Sequence, residues 1–280
     1  MSASRNKGAD DKGSRYRLVS RHSLSVRFTH WVNVVVLAVM LGSGLQIYNA
    51  HPASYWGSRS DRDQAILSMR SERLETGELR GVTEAFGRRF DTTGVLGAFK
   101  DDHGQWESRG FPSWATIPGE RWLAMGRRWH FFFAWLFVLN GLFYAAAAVA
   151  GRHLTRDLLP TWPELKDLGG SIRRHLSFRV LRAESEHGYN VLQKLSYLVV
   201  VFVLGSLVVL SGLAMSPWLN SVVPLPALFG GRQAARTVHF VIAFSFVAFV
   251  IVHVAMVLVV GPLRHLRAMT TGRLRVKERA

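Results

Sequence analysis

Four long apolar blocks, separated by charged stretches, constrain this chain more than any other feature. They run from about Phe28 to Tyr48, Trp129 to Ala150, Val191 to Met215 and Thr237 to Val260. Each is close to the ~20 residues that cross a hydrocarbon layer. Within lipid a backbone must satisfy its own hydrogen bonds, so such runs read as helices. The expected fold class is therefore all-α: an integral membrane four-helix bundle with a long loop between helices one and two. The organisation predicted is a basic tail at 1–27, a membrane domain at 28–260 and a second basic tail at 261–280, with loops at 49–128 and 151–190. Residues 1–15 read as a disordered tail, and no internal repeat is evident. The first block lacks a small-residue cleavage pattern and reads as a retained helix rather than a signal peptide.

The formal net charge is +16. On a soluble protein this would suggest nucleic acid, but the basic residues here flank apolar blocks, and no basic groove or aromatic-basic module accompanies them. Membrane topology accounts for the charge, and the expected surroundings are membrane lipid with no nucleic acid. Lys and Arg crowd the N-terminal tail (Arg5, Lys7, Lys12, Arg15, Arg17, Arg21, Arg27), the second loop (Arg152, Arg156, Lys166, Arg173, Arg174, Arg179, Arg182) and the C-terminal tail (Arg264, Arg267, Arg273, Arg275, Lys277, Arg279). The third loop holds only Arg232 and Arg236. The positive-inside rule then puts both termini and the second loop in the cytoplasm of a bacterial inner membrane. The first loop is also basic, but long loops cross largely regardless of charge. It is expected outside, as a small cap. Its stretch Phe111-Pro112-Ser113-Trp114, followed by Ile117-Pro118-Gly119, cannot form a long helix and suits the membrane interface. That loop reads either as plain surface or as a docking face for a partner subunit.

The chain has no cysteine. This excludes disulfides, iron–sulfur clusters held by this chain, and covalent haem of the C-x-x-C-H kind. Redox chemistry, if present, needs other ligands, and histidine is the obvious one. Seven of the 11 histidines lie in tails, loops or flanks; His30, His130, His239 and His253 lie inside or at the ends of the apolar blocks. A polar ring in a spanning helix is costly and marks function by default.

His239 and His253 are 14 residues apart on the fourth block. At 100° per residue that is about 1400°, roughly 40° short of four turns, so both rings leave one face about 21 Å apart along the axis. Depth then predicts the pairing. His30 opens helix one on the inner side and meets His253; His130 opens helix two on the outer side and meets His239. Two imidazole pairs at two depths suit two haems with both axial positions filled, which favours electron transfer over oxygen chemistry. A clustered metal site would need convergent ligands, and a proton relay would usually add carboxylates. The four blocks contain neither Asp nor Glu. Gly44 and Gly141 lie near the faces of His30 and His130 and either clear a flat ring or serve ordinary helix packing.

Arg27-Phe28-Thr29-His30-Trp31 opening helix one, His130 opening helix two, and His239 with His253 on helix four resemble the bacterial cytochrome b561 and Ni/Fe-hydrogenase cytochrome b family. That family includes the membrane gamma subunits of formate dehydrogenase and thiosulfate reductase. The resemblance implies two b haems held by histidines of helices one, two and four, and electron exchange between quinone and a catalytic partner subunit. Tyr189-Asn190 with Gln193-Lys194 is similar to the segment bordering the family's quinone pocket. The long first loop departs from the hydrogenase and formate dehydrogenase members. It is closer to the cytochrome b/b6-domain branch associated with molybdopterin oxidoreductases.

From the residues themselves, Asn190 and Gln193 could hydrogen-bond a quinone carbonyl, or Asn190 could simply start a helix. Arg21 and Arg27 could pair haem propionates or anchor the chain by charge. The function expected is a di-haem b-type electron-transfer subunit between the quinone pool and a partner oxidoreductase, a molybdopterin or other periplasmic subunit, with no complete catalytic cycle of its own. Two alternatives stay open. One is a self-contained transmembrane haem reductase, which needs an open coordination site. The other is a non-redox anchor or transporter, which would carry no haem.

Overall fold

The computed structural model describes residues 16–20, 22–101, 103–152, 155, 158–175 and 191–277. The tail at 1–15, Arg21, Tyr189 and Asn190 lie outside the described residues. Four helices are long and apolar enough to cross a membrane: Leu24–Tyr48, Leu123–Ala150, Val191–Ala214 and Arg232–Val260. They are called the first to fourth spans below. Much of their outer surface is bare apolar side chain, including Phe131, Phe132, Trp135, Ile251 and Val252. In water that exposure would be prohibitive, and in lipid it is required.

The first, second and fourth spans begin four to six residues before their apolar blocks. The first is capped by Ser23, whose hydroxyl accepts from the Val26 amide. The added turns carry Arg27, Arg127, Arg128, Arg232 and Arg236. Helix hydrogen bonding does not stop at the lipid boundary, and long basic side chains keep their charge in the headgroup layer. The third span is not uniform: Leu198–Leu204 winds as a π-helix between two α segments. The fourth span ends at Gly261, whose φ of 131° is open to glycine, before Pro262 starts a ten-residue helix, Pro262–Thr271.

The all-α expectation holds for the spans and fails for the first loop, which folds into β-structure. β2 (Ala53–Ser54), β3 (Leu67–Arg73), β4 (Leu79–Ala85) and β5 (Arg88–Asp91) form an antiparallel sheet in that order. A hairpin of β6 (Gly97–Lys100) and β7 (Trp106–Arg109) lies against it. The crossing is tight: a Cβ on Gly81 would sit 2.2 Å from the Leu96 carbonyl oxygen, and one on Gly97 2.5 Å from that of Arg70. Gly-containing turns punctuate this stretch, so short strands form where a helix would be broken repeatedly.

The cap is not a separate body. Its Met69 and Phe111 join Leu45 and Tyr48 of the first span in one buried cluster, with Phe240 of the fourth span packed against it. Tyr48 stacks on Phe240 at 4.4 Å. The stretch expected at the membrane interface forms this joint. The Ile117 amide donates to the Gly42 carbonyl, while Asn49 and Phe111 exchange two hydrogen bonds.

At the opposite end, β1 (Tyr16–Ser20) pairs antiparallel with β8 (Arg273–Lys277), Tyr16 opposite Lys277. The two basic tails are thus joined in part. Trp31 Nε1 donates to the Met269 carbonyl across the same seam. In the second loop, Thr161 and Glu164 form a capping box that starts the helix Trp162–Lys166.

Candidate functional site

The spans alternate in direction, so the first and third run toward the cap and the second and fourth away from it. This puts His130 and His239 near the cap and His30 and His253 near the tails. The rings of His130 and His239 lie 6.2 Å apart between centroids, with planes at 64°. Those of His30 and His253 are also 6.2 Å apart, at 54°. Both pairs are the ones depth predicted.

The separation can be tested against the group it would hold. Metal–imidazole nitrogen bonds run about 2.0–2.1 Å and a ring centroid lies roughly 1.1 Å behind its nitrogen, so two imidazoles on one metal stand about 6.3 Å apart. Both pairs meet that value. No cluster of three or more His, Cys, Asp or Glu able to hold a bare metal ion occurs among the described residues. Two imidazoles at this separation suit a metal whose other ligands come with it, as in a porphyrin.

The cap-side rings are also oriented. The Ser43 hydroxyl sits 2.7 Å from the Val39 carbonyl, its own i−4 position, and spends its proton there. Its oxygen is then free to accept from His130 Nδ1, 3.2 Å away. On the third span the Ser211 hydroxyl donates to Leu207 at 2.7 Å and stands 3.1 Å from His239 Nδ1. The Val208 carbonyl, which can only accept, is 3.0 Å from the same nitrogen. Nδ1 therefore carries the proton in both rings, and Nε2 presents a lone pair away from the serines. Space is made by a glycine beside each serine. A Cβ on Gly44 would lie 3.3 Å from His130 Cε1, and one on Gly212 3.4 Å from His239 Cε1. Gly44 thus gives room to the His130 imidazole, while a Cβ on Gly141 would meet no protein atom within 4 Å.

Ser43, Ser211 and Gly212 carry a signal the sequence reading missed. Ser-Gly-Leu occurs at 43–45 and again at 211–213, in the cap-side halves of the first and third spans. Each lies beside a histidine of the next span. The repeat is only three residues long, too short to stand out before the contacts of Ser43 and Ser211 are known.

The tail-side pair is built differently. His30 meets the Trp31 ring edge-on at 5.2 Å, and His253 stacks on Phe249 at 5.7 Å. His30 Nδ1 is buried with no hydrogen-bond partner. Beside His30, Asn140 of the second span donates to the Thr29 carbonyl and to Asn33, each at 2.9 Å, and ties the two helices together. Arg27, one turn before His30, donates from Nη1 to the Thr270 carbonyl at 2.6 Å, while its Nε is buried without an acceptor.

Of the residues resembling a quinone border, Gln193 is exposed at the tail-side end of the third span. Lys194 is otherwise engaged: its Nζ reaches both carboxylate oxygens of Glu164, at 2.8 and 3.0 Å. That contact, with the Thr161 amide, holds the Glu164 carboxyl below its usual range.

Known proteins resemble this chain over most of its length. The family model for prokaryotic cytochrome b561 matches residues 21–272. A protein of Azospira oryzae, provisionally named as the protein-methionine-sulfoxide reductase subunit YedZ1, is 29% identical over 252 residues, covering 90% of this chain and 96% of the relative. No solved structure matches. With its four apolar spans and a match over most of its length, the chain belongs to the prokaryotic cytochrome b561 family, the b-type haem proteins of the membrane.

Proposed function

We propose that this protein is a di-haem electron-transfer subunit linking the quinone pool to a partner oxidoreductase. In this reading His130 and His239 hold one haem b and His30 and His253 the other. The observation that carries it is the 6.2 Å spacing shared by both pairs. Bound haem supplies reversible one-electron iron chemistry with no coordination position left for oxygen. The chain supplies the rest. Its imidazoles fix the two centres about 21 Å apart along the fourth span, its apolar spans exclude water, and Arg27 offers a buried N–H to a propionate.

Quinone is assigned to the tail side, where Gln193, with Asn190 before it, would hydrogen-bond a ring carbonyl and exchange protons with the cytoplasm. The Lys and Arg distribution favours cytoplasmic termini in a bacterial inner membrane, which leaves the cap on the outside as the docking face. A molybdopterin or other periplasmic oxidoreductase is the expected partner, in keeping with the relative's name as a reductase subunit.

Haem content per chain tests the reading. The purified protein should carry two haem b, its reduced spectrum should not change with carbon monoxide, and His253→Ala should retain one haem. One haem in the parent, a carbon monoxide shift, or two haems in His253→Ala would overturn it.

A further inference from the structure

We infer that Ser43 and Ser211 are positioning residues that tune the cap-side centre alone, an inference that rests on the di-haem reading. Each hydroxyl is locked as an acceptor because its proton is donated 2.7 Å away to an i−4 carbonyl. Each therefore draws on the Nδ1 proton of the neighbouring imidazole, His130 at 3.2 Å and His239 at 3.1 Å. The Val208 carbonyl shares the proton of His239. Both cap-side rings thus meet a serine hydroxyl, and His239 sits in a fork of that hydroxyl and a backbone acceptor at i−3 from the serine.

The chemistry of that fork is directional. Pulling on Nδ1–H makes the imidazole a stronger donor at Nε2 and favours the more positive ferric state, which lowers the midpoint potential. At the tail side His30 Nδ1 has no such partner. The two centres of one chain are thus supported unequally, and the difference lies in the partners of the ligands, two hydroxyls and the Val208 carbonyl, rather than in the ligands themselves.

The experiment is spectroelectrochemical titration of the haem-loaded chain with Ser43→Ala, Ser211→Ala and the double variant, alongside low-temperature paramagnetic resonance of the ferric form. Outer-shell partners of metal-bound histidines typically matter by roughly 10–100-fold. The double variant should raise the ferrous-to-ferric ratio of one centre about tenfold at fixed potential, equivalent to about 59 mV for one electron. The low-spin g-values of that centre should move with it, and those of the other should not. The shifted centre should be the one lost in His239→Ala and kept in His253→Ala. Ser211→Thr, which restores a hydroxyl, should return toward the parent. If the double variant fails to hold haem, the single variants carry the test, each with a smaller shift in the same direction. Two unmoved midpoints, or a shift at the centre lost in His253→Ala, would overturn the inference while leaving the di-haem reading intact. A parent without two low-spin signals would instead sink the di-haem reading.

Discussion

Arg109 ends β7 with a side chain only 2% exposed, and replacing it should unfasten the cap from the bundle. Its Nη2 donates at 2.8 Å to both Gln46 Oε1 of the first span and Thr116 Oγ1, and its Nη1 at 2.9 Å to the Gly119 carbonyl. Gln46 in turn donates to the Glu120 carbonyl. One guanidinium therefore joins a strand, a span and the lead-in to the second span. Arg109→Met keeps the length and apolar stem but leaves three acceptors without a donor. Each orphaned buried group costs about 1–3 kcal/mol, so the loss is about 3 kcal/mol at the low end. At 1.36 kcal/mol per decade that is roughly a hundredfold rise in local opening. Hydrogen exchange over residues 97–122, in detergent, reads this directly. Arg89→Met is the control, because its ion pairs with Glu72 and Glu84 are exposed and are worth at most about 1 kcal/mol. If exchange in Arg109→Met were no faster than in Arg89→Met, the cap would not be held by this residue.

Three more outcomes follow from local geometry. The carboxyl of Glu164 is held below its ordinary 4.5 by Lys194 and the Thr161 amide, so its stabilising contribution is complete above about 4.5 and is lost as pH falls through the lower folded value. Thermal unfolding of Glu164→Gln should show a weaker dependence on pH in that acid range than the parent. Gly126→Val should cost about 1–3 kcal/mol, because a Cβ there would lie 2.8 Å from Gln46 Cγ and force the first two spans apart; a melting temperature equal to the parent's would contradict this. Phe86, a residue 86% exposed, holds a φ of 50° at the β4–β5 turn, a position that suits Asn or Gly. Phe86→Asn should stabilise the hairpin by about 1 kcal/mol, seen as slower exchange at Val82–Asp91.

The spans and the ring pairing were legible for one reason: both follow from one-dimensional rules. Hydrophobic run length sets a span, and a fixed rise and rotation per residue sets the depth and face of His239 and His253. Alternating span direction then leaves a single partner at each depth. The β-cap was less legible because its strands are short, with Gly81 and Gly97 set by contacts between segments rather than by local pattern. Arg27 and Lys194 show a related limit. As charges near a membrane face they fit several roles, and only the folded chain shows Arg27 on the Thr270 carbonyl and Lys194 on Glu164.

What the amino-acid order determined by itself is the number of spans, their place along the chain and the level of each histidine, since those depend on run length and on distance along one helix. What tertiary structure alone decided is the environment of each ring. Ser43 reaches His130 across 87 positions of sequence, and Ser211 reaches His239 across 28. A hydrogen bond is a matter of ångströms and angle, and no periodicity within one helix specifies which face of the next will supply it.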